Sequence, residues 1–78
     1  MINVIVAGAA GRMGSRLIAL IKESSALALA GAIEGKGHPA LGLDAGETSG
    51  VGKMGLLITD DLPGLLDRAE VVIEIYDH

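Results

Sequence analysis

Three glycines at a fixed spacing, Gly8, Gly11 and Gly14, and an acid twenty residues beyond the last of them, Glu34, are the residues whose types and placement could do chemistry together. The glycines punctuate Gly8-Ala9-Ala10-Gly11-Arg12-Met13-Gly14, which joins an apolar, β-branched run to an amphipathic segment. At such a strand-to-helix junction each glycine has its own task. Gly8 lets the chain turn sharply off the strand, Gly11 removes a Cβ that would block a pyrophosphate from the helix N-terminus, and Gly14 lets the helix pack closely. Free amides around Ala10, Gly11, Arg12 and Met13, with the positive end of the helix dipole, would cradle phosphates. An acid at the end of the next strand accepts hydrogen bonds from adenosine ribose hydroxyls in such folds, and Glu34 has that position. The pattern is G-x-x-G-x-x-G, shifted from the commoner G-x-G-x-x-G. Taken alone, the turn could serve only a tight strand-to-helix connection, and Glu34 alone could be a solvated acid at a strand end; the combination is more specific than either.

Other constellations carry less. Gly50-Val51-Gly52-Lys53 resembles a phosphate loop superficially, but Met54 stands where Ser or Thr is needed and Glu47 where the leading glycine should be. His38, Asp44 and Glu47 share a loop without metal-ligand spacing, so no metal site is expected. Asp77-His78 has no Ser or Cys nucleophile nearby and reads as a solvent-exposed end. No catalytic residue is assigned.

The elements that must position these residues follow from periodicity. Residues 2–7 are nearly continuous in apolar side chains, the pattern of a strand buried on both faces of a parallel sheet. From Arg12 the period becomes helical, with Met13, Leu17, Leu20 and Ile21 expected to face the core, and the helix runs to about Glu23. Residues 27–33 read as a second strand from context. Seven of the twelve glycines fall in residues 35–55, a long loop. Residues 56–59 give a third strand. Asp60-Asp61 before Leu62-Pro63 starts a short helix over residues 62–68, in which Gly64 costs about 1 kcal/mol relative to Ala. Residues 70–75 make a fourth strand. Right-handed crossovers then lead to an α/β, Rossmann-like parallel sheet of four strands in the order 3-2-1-4, a truncated half of a doubly wound dinucleotide-binding domain.

The chain as a whole bounds this reading. Its 78 residues allow one domain, residues 1–78, with half of the residues hydrophobic but Tyr76 the only aromatic one, so the core is aliphatic. There is no cysteine, which excludes disulfide scaffolds and zinc ribbons. A net charge of −4 is the wrong sign for gripping nucleic acid. No apolar run approaches the roughly 18 residues of a membrane span, and the first lacks a basic leader. A soluble, cytoplasmic chain is expected.

The motifs also carry a resemblance. Residues 4–14, then Gly31-Ala32-Ile33-Glu34, then Gly37-His38-Pro39-Ala40-Leu41-Gly42-Leu43-Asp44-Ala45-Gly46-Glu47, closely resemble the start of the bacterial 4-hydroxy-tetrahydrodipicolinate reductases, enzymes of lysine biosynthesis that use NADH or NADPH. The resemblance runs through Ile73. It implies that Gly8, Ala9, Ala10, Gly11, Arg12 and Met13 bind the cofactor pyrophosphate and that Glu34 binds the adenosine ribose. Many members place Arg directly after the acid, where it meets a 2′-phosphate; here Gly35 stands there, with Lys36 beyond, so the cofactor expected is NAD(P)H with a leaning to NADH. The family's fourth strand usually ends in Asp-Phe-Thr, where this chain has Glu74-Ile75-Tyr76. The family's catalytic His and Lys belong to a substrate domain that this sequence does not include, so it reads as a truncated N-terminal half that binds without turnover. Two alternatives stay open: a stand-alone nucleotide-binding module, and a self-assembling unit without enzymatic activity. An open edge at strand 4 is expected to make a homodimer.

Overall fold

The computed structural model describes residues 1–75, so Tyr76, Asp77 and His78, and the expectations attached to them, lie outside the described residues. Along the chain run β1 (Ile2–Ala7), α1 (Arg12–Glu23), β2 (Leu27–Ile33), α2 (Ala45–Thr48), β3 (Ile58–Thr59), α3 (Leu62–Leu65), a 3-10 turn (Leu66–Arg68) and β4 (Val71–Glu74). The strands form one sheet in the order β3-β2-β1-β4, and every pairing is parallel. This is the expected Rossmann-like α/β half-sheet. No described helix is long and apolar enough to cross a membrane.

The central strand is buried on both faces, as its unbroken apolar run requires: Val4, Ile5 and Val6 are all 2% exposed or less. Val4 and Val6 pack under α1 with Ile18, Ile21, Ala32 and Ile58, while Ile5 points to the other face. There Gly31 leaves room for Leu65 of α3, whose Cδ1 would stand 2.7 Å from a Cβ on residue 31. The β1–β2 register slips between Val4 and Ile5, with Val4 opposite Leu29 and Ile5 opposite Gly31.

Four expectations need correction. Along α1 the buried positions are Gly14, Ile18 and Ile21, whereas Met13 and Leu20 are 62% and 59% exposed and Leu17 is half-buried. The stripe that faces the sheet begins at Gly14, the point of closest approach, so it lies one residue further along than the apolar spacing from Met13 implies. Met13, Leu17 and Leu20 instead join Ile73 and Ile75 in a shallow apolar groove of about 290 Å³, with Arg16 beside it.

The interval 35–55 is not all loop, because it contains α2. Strand β3 is half the expected length: Leu56 and Leu57 face the loop rather than β2, with Leu56 O accepting from Ala45 N at 2.8 Å and Leu57 forming an antiparallel bridge with Asp44. The helix expected over 62–68 tightens to 3-10 geometry from Leu66. At β4 the ladder reaches past the strand itself, since Glu70 N donates to Asn3 O and Ile75 N to Ala7 O, each at 3.0 Å.

Candidate functional site

The turn after β1 is built from the inside. Gly8 takes φ +86°, a left-handed conformation that side chains disfavour, and a Cβ there would run into the carbonyl oxygen of Ile75 beyond β4. The amides of Gly8 and Ala9 both donate to Ile33 O, at 2.9 and 3.1 Å. That shared acceptor fastens the turn to the end of β2 and so brings Glu34 beside it. Gly11 N donates to Gly8 O at 3.2 Å and closes the turn.

Gly11 is the N-cap of α1 and offers no side chain to its first-turn amides. The Arg12 and Met13 amides therefore stand at a helix N-terminus without an intrahelical carbonyl or a capping oxygen. Gly14 seats the helix, because a Cβ there would collide with Gly8 O and stand 2.9 Å from Ala9 Cα. The side chains of Arg12 and Met13 point to solvent.

Glu34 is held by its own backbone as well as by the turn. Its amide donates to Thr59 O at 3.0 Å, which continues the β2–β3 ladder, and its Oε2 accepts from Ala10 N at 2.7 Å. The acid and the turn thus form one unit, and the amides of Ala10 and Gly11, expected to be free for a ligand, are instead engaged within it. A ligand hydroxyl reaching Oε1, or a phosphate reaching the amides of Arg12 and Met13, meets groups already in position.

These residues surround a cleft of about 270 Å³ lined by Ala7, Gly8, Ile33, Glu34, Gly35, Glu74 and Ile75. It lies at the carboxyl ends of β1, β2 and β4, where the sheet order reverses direction from β1, the topological switch point at which doubly wound sheets bind ligands. Lys36, the basic residue nearest to Glu34 in sequence, is exposed.

Two further residues shape the region, and the sequence signals them only in part. His38 does not stand apart in the loop: its Nε2 lies 3.9 Å from Glu34 Oε1, while its Nδ1 accepts from Ala40 N at 2.9 Å. Asp44 is buried, with Oδ1 accepting from the amides of Gly46 (2.9 Å), Glu47 (3.1 Å) and Met54 (3.0 Å), and Oδ2 from Gly55 (2.7 Å). The Met54 amide foremost, with those of Glu47, Gly55 and Gly46, holds its carboxyl down at about 2 against the opposing effect of desolvation. Asp44 caps α2 and pins the far end of the loop, so its oxygens are committed to the fold. Asp44-Ala45-Gly46-Glu47 has the spacing of a capping box, which is the signal that identifies it. Among the described residues no group of three His, Asp or Glu side chains is arranged to hold a metal ion.

Comparison with known proteins agrees with this architecture. Residues 2–76 match the family model described as "Dihydrodipicolinate reductase, N-terminus". The chain is 45% identical over 74 residues to a 4-hydroxy-tetrahydrodipicolinate reductase of Citrifermentans bemidjiense, covering 95% of this chain and 28% of that one. It is 51% identical over 74 residues to the protein of that name from Syntrophotalea carbinolica, with the same coverage, and 41% identical over 78 residues, the whole chain, to that of Syntrophus aciditrophicus. The chain spans little more than a quarter of the length of these relatives, 28–29%. On sequence, sheet order and the glycine turn together, it belongs to the dihydrodipicolinate reductase family and corresponds to its N-terminal portion.

Proposed function

We propose that this chain is the dinucleotide-binding part of a 4-hydroxy-tetrahydrodipicolinate reductase, acting in lysine and diaminopimelate biosynthesis in the cytoplasm. One observation carries the reading: Glu34 is hydrogen-bonded at 2.7 Å to the glycine turn, beside a helix N-terminus with no side-chain cap, at the switch point of the sheet. The residues fit an adenosine diphosphate group. The Arg12 and Met13 amides meet the pyrophosphate, the Gly8, Ala9, Ala10 and Gly11 turn, whose own amides are engaged within the fold, sets them in place, and Glu34 holds the ribose. The absence of a Cβ at Gly8 lets the Ile75 backbone close in on the turn, and both residues line the cleft. The nicotinamide of the bound cofactor supplies the hydride; this chain's residues bind and orient the other half of the molecule.

The preference leans to NADH over NADPH. Glu34 repels a 2′-phosphate, and exposed Gly35 offers no guanidinium to offset it. Alone, the 78 residues bind without turnover, since the resemblance implies that the family's catalytic His and Lys belong to a substrate domain outside these residues.

The test is an NMR titration of the 78-residue chain with ADP-ribose. Shifts at the amides of residues 8–14 and of Glu34 are expected, and unmoved amides there at millimolar ligand would discard the reading. Weaker binding of 2′-phospho-ADP-ribose than of ADP-ribose is expected, and the reverse order refutes the NADH preference. A second reading, self-assembly through β4, rests on the exposure of Val71 and Val72.

A further inference from the structure

Glu34 has two carboxylate oxygens, and the turn uses one of them. Oε2 accepts the Ala10 amide, which leaves Oε1 on the side facing His38. His38 is set there by a tight turn: its amide donates to Gly35 O at 3.0 Å, and Gly37 supplies the left-handed residue at φ +83°. Its ring is oriented by Ala40, whose N–H donates to Nδ1 at 2.9 Å. A neutral imidazole that accepts at Nδ1 carries its proton on Nε2. That N–H stands 3.9 Å from Glu34 Oε1, beyond hydrogen-bond range, between side chains that are 38% and 13% exposed.

A donor and an acceptor held apart by this distance are complementary to one group that both donates and accepts. A hydroxyl does so, with two bonds of about 2.8 Å meeting at about 90°. On an adenosine ribose the 3′-carbon adjoins the carbon that carries the phosphate arm, so a ligand whose phosphates lie at the turn directs its 3′-hydroxyl toward the Oε2 side. The 2′-hydroxyl then falls at Oε1.

Resting on the dinucleotide-binding reading above, we propose that His38 is a second residue that recognises the adenosine ribose: its Nε2–H donates to the 2′-hydroxyl, which in turn donates to Glu34 Oε1. The loop following β2 thereby takes part in ligand recognition.

The experiment compares ADP with 2′-deoxyADP on the 78-residue chain and two variants. Asparagine at this position keeps the acceptor for Ala40 N but lacks the distal donor, whereas glutamine places an N–H near the Nε2 position. His38→Asn is expected to weaken ADP about fivefold while changing 2′-deoxyADP less than about twofold, and His38→Gln to retain most of the ADP affinity. Independently of any variant, the wild-type His38 ring 15N resonances should move on addition of ADP and stay in place with 2′-deoxyADP. Equal weakening of both nucleotides by His38→Asn, an unchanged ADP affinity, or ring resonances indifferent to ADP would each overturn the proposal while leaving the dinucleotide reading intact. Failure of the wild-type chain to bind either nucleotide removes that reading, and this inference with it.

Discussion

Gly14 shows how little tolerance the site has at the scale of one residue. A methyl group there meets the Gly8–Ala9 peptide, at the carbonyl of Gly8 and the Cα of Ala9, and neither can rotate away as a side-chain end would. Gly14→Ala therefore forces α1 off the turn, at a cost of about 1–3 kcal/mol, and should lower the melting temperature by at least about 5 °C. An unchanged transition would mean that the helix N-terminus shifts freely. Asp44 is the residue whose ionisation matters most to the fold. Its folded pKa, about 2, lies below the ordinary carboxylate value, so its contribution is complete above about pH 4 and is lost as pH falls toward 2. Asp44→Asn should abolish that part of the acid sensitivity and destabilise the loop at neutral pH, because one of the four amide donors would then face an NH2 group. Hydrogen exchange at Met54 and Gly55 reads the effect; protection equal to wild type would contradict it. The turn and Glu34 were legible because backbone chemistry demands glycine and an acid at set places. Asp44 was less so, since an acid in a glycine-rich loop has the same sequence signature as a ligand or as a cap.

Among the elements, α3 illustrates a local conflict resolved by a cap. A glycine inside a four-residue helix is unfavourable by propensity, yet Asp61 caps this helix by accepting from Gly64 N at 3.2 Å, and a Cβ on residue 64 would collide with the Asp61 carboxylate. Gly64→Ala should thus fail to stabilise the protein, in contrast to the usual gain of about 1 kcal/mol in a helix, because it displaces a cap of about the same worth. In an Asp61→Ala background the same substitution should become stabilising. Thermal denaturation of the four proteins gives the coupling, and additive effects would refute it. Strand order and helix positions followed from the sequence because parallel βαβ units leave few right-handed arrangements. The phase of α1 did not, since Met13, Leu17 and Leu20 repeat at the same spacing as Gly14, Ile18 and Ile21, and a glycine carries no hydrophobic signal although it marks the contact face. The shortening of β3 was equally hidden: Leu56 and Leu57 look like strand residues, but their partners are Ala45 and Asp44 at the start of α2 rather than β2.

At the scale of the whole molecule the two edges of the sheet are treated differently. Beyond β3 the loop folds back, with Gly42 N donating to Ile58 O at 2.8 Å and Ile58 N to Leu43 O at 2.9 Å, so that edge is covered by the chain's own backbone. Beyond β4 no further strand stands among the described residues, and Val71 and Val72 are 40% and 37% exposed. The groove of Met13, Leu17, Leu20, Ile73 and Ile75 adds apolar surface on the same side of the molecule as β4. In relatives more than three times as long, further chain is available to cover such surfaces; the isolated 78 residues have only another copy of themselves. Antiparallel pairing of β4 with its copy about a two-fold axis would make one eight-stranded sheet. Like charges at Glu70 and Glu74 count against that pairing. Glu70, however, already accepts the Asn3 amide at 2.8 Å, which holds its carboxylate at the start of β1. A homodimer is therefore expected in sedimentation equilibrium at tens of micromolar, and Val72→Lys, which sets a charge on the pairing edge without touching the core, should return it to monomer with little change in thermal stability per chain. A wild-type monomer with a cooperative transition would show that this aliphatic core suffices on its own and that β4 tolerates an open edge.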